Sequence, residues 1–197
     1  MRSLPFVILL SLLAGCSMRT YRFDGVGADG STVREVRHVL ESDAGREGAI
    51  TISMGGKTHD KVGDRETDTV RVTVVLDNAS EDTVELPLEV LTLKDDEGRA
   101  WNRVSVSFPA GASETTMAAG AHQRASYEVL YDAGAPGALK TTGSVTLDWG
   151  YRFRGQETRH QSRFLPVRIE RRPVFFSGGV LFGHRHRGLH WGPGWHW

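Results

Sequence analysis

One thiol, Cys16, and eight histidines are the side chains of this 197-residue chain best suited to ligation or nucleophilic chemistry. Four of the histidines, His184, His186, His190 and His196, are crowded into the stretch GHRHRGLHWGPGWHW together with Trp191, Trp195 and Trp197. Neutral imidazoles this close in sequence bind Zn²⁺, Cu²⁺ or Ni²⁺. The stretch has no cysteine to complete a ligand set, so loose uptake of a divalent ion is expected rather than a coordination site of defined geometry. If extended, it would place its histidines on one face and its tryptophans on the other, although Gly192-Pro193-Gly194 interrupts any regular strand. Tryptophan with arginine also suits a membrane interface or a flat polymer such as a glycan, and a terminus without any ligand is the third reading. The other histidines, His38, His59, His122 and His160, would serve as bases only if one met a carboxylate in a pocket. No Gly-x-Ser-x-Gly elbow accompanies them, so hydrolysis is the least favoured function and no catalytic residue is assigned.

Cys16 closes the stretch LLAGC. Ahead of it, Leu4 to Leu13 is apolar apart from Ser11, and Arg2 supplies the only preceding charge. A basic start, a short greasy run and small residues form the layout of an export signal. The run is too short for a permanent span, which needs about 20 apolar residues. Leu13-Ala14-Gly15-Cys16 resembles the lipobox of bacterial lipoproteins at each of its positions. The resemblance implies that residues 1–15 are removed, that diacylglycerol is joined to the Cys16 thiol and that the new amino terminus is acylated, as by palmitate. It implies no cofactor. Two or three acyl chains, at about 0.8 kcal/mol per buried methylene, anchor a domain durably where a single chain does not. Ser17, a residue other than aspartate after the cysteine, implies sorting to the outer membrane, facing the periplasm, in a Gram-negative host.

With Arg2 gone the 24 basic residues fall to 23 against 24 acidic ones. A near-neutral domain creates no global field to attract nucleic acid, so no nucleic-acid partner is expected. With Cys16 acylated no thiol remains for a disulfide, and stability must come from a packed core. Residues 16–47, polar and glycine-rich, read as a lipidated tether. Within them Gly25, Gly27 and Gly30 match Gly-x-Gly-x-x-Gly, which signifies a dinucleotide site only between a buried strand and a helix; a turn is expected here.

From Ile50 onward apolar residues recur every second position: Ile50 to Met54, Val70 to Leu76, Val84 to Val90, Val104 to Phe108, Tyr127 to Tyr131, Val145 to Phe153, and Val167 with Ile169. Turn-forming stretches separate them, among them DNASED, DDEGR, GAPG and RGQE. About seven short alternating strands with no helical pattern between them predict an all-β, antiparallel, immunoglobulin-like sandwich over residues 48–170, with 171–197 as an irregular tail. Val72, Leu88 and Trp149 are the nominated core positions, and Pro87 calls for an edge or a bulge. The run TVRVTVVLDNASEDTVELPLEVLTLKDDEGRAW, with AAGAHQRASYEVLYD, is similar to small immunoglobulin-like domains of bacterial surface proteins, which implies binding or structural work rather than catalysis. Asp95, Asp96 and Glu97 read as a charged turn, since calcium-loop spacing is missing. Asn78-Ala79-Ser80, formally a glycosylation sequon, reads as a turn, and Arg168, Arg171 and Arg172 as solvated charge. The expected protein is a lipid-anchored envelope component, bound to the membrane through Cys16, with an envelope protein or glycan as further partner.

Overall fold

The computed structural model describes residues 19–42, 45–62, 64–108, 114–135, 137–140 and 142–170. Period-two patterning dominates the result: the described chain is antiparallel strand with two single-turn 3₁₀ segments. One sheet is built from β3 (Glu35–Ser42), β4 (Gly45–Val62), β5 (Arg65–Asn78), β10 (Arg124–Gly134) and β8 (Asn102–Ser107), in that spatial order. Facing it are β12 (Gln156–Glu170), β11 (Val145–Phe153), then β6 (Val84–Pro87) and β7 (Thr92–Asp95) sharing one flank of β11, with β9 (Thr116–Ala119) outside β6. Taken in chain order, β4, β5, β6 with β7, β8, β10, β11 and β12 reproduce the seven-strand immunoglobulin arrangement. Its first, second, fifth and fourth strands make one sheet, and its third, sixth and seventh make the other.

The inner faces follow from the alternation. Val70, Val72, Val74 and Leu76 of β5 and Val145 and Leu147 of β11 are fully buried, and Trp149 joins them at 3% exposure. Burial of each such side chain is worth about 1.5–3 kcal/mol. Two tyrosines of β10 tie the layers with hydrogen bonds. The Tyr127 hydroxyl donates to the Ala118 carbonyl (2.6 Å) and accepts from the Ala118 N–H (2.9 Å), and Tyr131 donates to the Leu91 carbonyl (3.1 Å).

Three expectations need correction. The segment read as a tether, residues 16–47, contributes β1 (Arg19–Val26), β2 (Thr32–Val33) and β3. β1 pairs with β12 from Arg19↔Glu170 to Gly25↔Phe164 and touches β4 at Phe23↔Met54, so it bridges the two sheets. Phe23 and Leu40 are buried; their short alternating runs are hidden in the sequence by the polar residues between them. Second, Val84 to Val90 is not one strand. β6 stops at Pro87, a 3₁₀ turn occupies Leu88–Val90 and β7 resumes at Thr92. Proline lacks the N–H a continuing ladder requires. Leu88 is nevertheless buried, at 5% exposure. Third, the strand count exceeds seven, through β1, β2, β3 and β9 and the division of the third strand. The Gly25-to-Gly30 motif ends β1 and leads into β2, not a helix, and Asp29 closes the turn by accepting from the Ser31 N–H (3.0 Å) and hydroxyl (2.6 Å).

Candidate functional site

The described residues with the most concentrated chemistry are His38, His160, Trp149 and Tyr151. The Arg154-Gly155 turn, both residues at positive φ (52° and 73°), closes a two-residue hairpin. That turn pairs Phe153 with Gln156 and therefore Trp149 with His160. Strand alternation points these side chains, with Tyr151, Ser162 and Phe164, into the interlayer space, and β3 sends His38 in from the opposite sheet between Val36 and Leu40. The two imidazole centroids lie 4.2 Å apart. His160 also stacks on Trp149 (4.6 Å, 30°) and lies nearly parallel to Tyr151 (5.7 Å, 7°). His38 Nε2 is 3.0 Å from the Tyr151 hydroxyl, and Trp149 Nε1 donates to Ser162 Oγ at 3.0 Å. His160 Nε2 is buried without a hydrogen-bond partner.

The electrostatics favour neutral rings. Burial pushes His38 below the usual imidazole range, the neighbouring His160 pushes it further, and Glu41 opposes them weakly. Burial alone lowers His160. Neither ring is in an ion pair with a carboxylate, and the nearby Ser162 Oγ accepts from the Trp149 N–H. Among the described residues, no group of three or more His, Cys, Asp or Glu side chains is placed to hold a metal ion.

The other histidines are dispersed. His122, at φ 53°, meets the carboxylate of Glu81 at 2.9 Å on the open surface, which raises its pKa through the hydrogen bond and the charge. The adjacent Ser80 hydroxyl is committed to Asn78 Oδ1 at 2.8 Å. The backbone of His59 lies in β4 opposite Asp68. Cys16, His184, His186, His190 and His196, with Arg171 and Arg172, lie outside the described residues.

Asn78 is the polar residue the sequence undervalues. It is 2% exposed, so no glycan could be attached there. Its Nδ2 faces the carbonyls of Asp82 (2.6 Å), Gly120 (2.8 Å) and Ala119 (3.1 Å), while Oδ1 accepts from the Ser80 N–H (3.1 Å) and hydroxyl (2.8 Å). One amide thereby joins the turn after β5 to the turn after β9. The same end is clamped by Arg154, which donates to Asp82 (2.7 Å) and Glu47 (2.6 Å). The acidic DDEGR stretch is a turn: Asp95 Oδ1 accepts from the N–H groups of Glu97 (3.0 Å) and Arg99 (2.9 Å), and Gly98 has φ 81°.

An open groove of about 750 Å³ lies where the 3₁₀ turn leaves β11, and the outer side of the histidine cluster lines it: Trp149 and His160 stand there with Glu89, Asp148, Arg159 and Gln161. Its charges are already matched. Asp148 is bonded to Lys94 (2.7 Å) and Gln161 (2.8 Å), and Arg159 to Glu157 (3.0 Å).

No family model and no curated protein matches the chain. Among solved structures, a structural-genomics target, SoR45, is 14% identical over 72% of this chain and 95% of its own, with a TM-score of 0.33. The GAE domain of yeast GGA1 is 14% identical over 67% of this chain and all of its own, with a TM-score of 0.36. Both likenesses are distant, and the immunoglobulin-like assignment rests on the strand order described above.

Proposed function

We propose that the protein is an exported, lipid-anchored component of the bacterial cell envelope with a binding or structural role rather than a catalytic one. The observation that carries this reading is Leu13-Ala14-Gly15-Cys16 behind a basic and then apolar leader. The fold is compatible with it: β1 begins at Arg19, so the folded domain starts three residues after the cysteine that would carry the lipid. In a Gram-negative host the anchor lies in the outer membrane, facing the periplasm. Fractionation tests the reading: wild-type protein should sediment with membranes, and Cys16→Ser should remain unprocessed and unlabelled by fatty acid. Fatty-acid labelling that survives Cys16→Ser would refute it. A second reading, uptake of divalent ions by His184, His186, His190 and His196, is favoured by their common parity in the tail.

A further inference from the structure

The topology assigns one end of the sandwich to the membrane, an inference that rests on acylation of Cys16. β1 starts at Arg19, three residues beyond Cys16. A fully extended chain covers at most about 3.3–3.6 Å per residue, so this link reaches only about 10 Å. Arg19 pairs with Glu170, the last residue of β12. β1 is also antiparallel to β4 through Phe23↔Met54, which directs Arg19 towards the end of β4 where Val62 pairs with Arg65. The start of β1, the end of β12 and the tip of the β4–β5 hairpin therefore share one end of the molecule. The Asn78, Glu81 and Arg154 turns occupy the other, because β5 runs from Arg65 to Asn78 and Arg154 is bonded to Asp82 and Glu47.

We infer that the anchored protein stands with its Arg19, Glu170 and Asp64 end against the lipid headgroups and presents the Asn78-to-Asp82 and Arg154-Gly155 turns away from the bilayer. A link of about 10 Å is far shorter than β5, whose 14 residues span about 45 Å at ~3.3 Å each, so the domain cannot turn over on its anchor.

The test uses the acylated protein reconstituted into phosphatidylethanolamine–phosphatidylglycerol vesicles containing a nitroxide-headgroup lipid. Acylation occupies the Cys16 sulfur, so a single fluorophore can be placed through Asp64→Cys at the near end, or through Glu81→Cys or Gln156→Cys at the far end. All three positions are exposed. Quenching at residue 64 at least threefold greater than at residues 81 and 156 is expected. Equal quenching, or stronger quenching at the far end, overturns the orientation while leaving the anchor standing. Intact mass separates the two failures: protein whose Cys16 carries no acyl group overturns the anchor and the orientation with it.

Discussion

Asn78→Ala should be among the most damaging single changes to this domain outside its apolar core. The substitution deletes an amide that serves three carbonyls through Nδ2 and two donors of Ser80 through Oδ1. The two N–H bonds of Nδ2 are shared among three acceptors, so about four net hydrogen bonds are lost, each worth about 1 kcal/mol. The Ser80 N–H and the Ala119 carbonyl sit in buried surroundings, and an orphaned buried group adds about 1–3 kcal/mol. The expected loss is therefore about 5–7 kcal/mol, a large share of the 5–15 kcal/mol typical of a domain. Asn78→Asp separates hydrogen bonding from shape. Its carboxylate would face three carbonyl oxygens where Nδ2 stood, and only the protonated acid can donate to them. Its folded-state pKa must therefore rise, so Asn78→Asp should be tolerated best below the ordinary carboxylate pKa of about 3.9 and lose stability as pH climbs through neutrality. Ser80→Ala, which removes the hydroxyl's donated bond and the one it accepts from the Asp82 N–H but keeps the Ser80 N–H on Oδ1, should cost only about 2 kcal/mol. Guanidinium denaturation at pH 4.5 and 7.5, with unchanged m-values, reads all three. A cost below about 1 kcal/mol for Asn78→Ala, or a pH-independent Asn78→Asp, would refute the reasoning.

Leu88→Ala should lose about 2–5 kcal/mol in the same assay, because the 3₁₀ turn keeps the side chain in the core although the strand has ended; near-neutral behaviour would mean the site collapses. His38 and His160 are held below their unfolded pKa of about 6.5. Their neutral forms therefore contribute stability that is fully present above that value and is lost as pH falls through the lowered folded pKa values. The melting temperature should drop between pH 7 and 5, and His160→Gln should shrink the drop; an undiminished drop would place the sensitivity elsewhere. Deleting Gly183 to Trp197 should leave the melting temperature unchanged, while weak uptake of Cu²⁺ or Ni²⁺ by the intact chain at pH 7.5 should vanish in the deletion and at pH 5, where imidazoles are protonated; calorimetry showing no heat from the intact chain would remove metal from the account.

The strands of the sandwich are legible because alternation is a local property: Val70 to Leu76 and Val145 to Phe153 announce their buried faces residue by residue. Pro87 signals an edge or a bulge in the sequence, whereas the strand ends there and a 3₁₀ turn follows. The segment before Ile50 was harder, since Phe23 is the one fully buried aromatic in a polar run and acquires meaning only when β12 and β4 arrive beside it. The Trp149–His160 pair was accessible in principle, because a two-residue Arg154-Gly155 turn fixes the hairpin register without further information. The place of His38 was not. It depends on how β3 faces the second sheet, and its contact with Tyr151 crosses 113 positions. Nor does local sequence disclose that Asn78 reaches Gly120 or that Arg154 reaches Glu47. Such bonds are consequences of strand order, and strand order is decided by the whole core.

The central claim is the anchor, and the intact mass of the mature protein extracted from its native membrane tests it most directly. The account predicts a chain beginning at Cys16, with residues 1–15 absent, carrying diacylglycerol on sulfur and an acyl group on the new amino terminus, and releasing two or three fatty acids on hydrolysis. A mature chain starting at any other residue, or a Cys16 recovered as a free thiol, would contradict it.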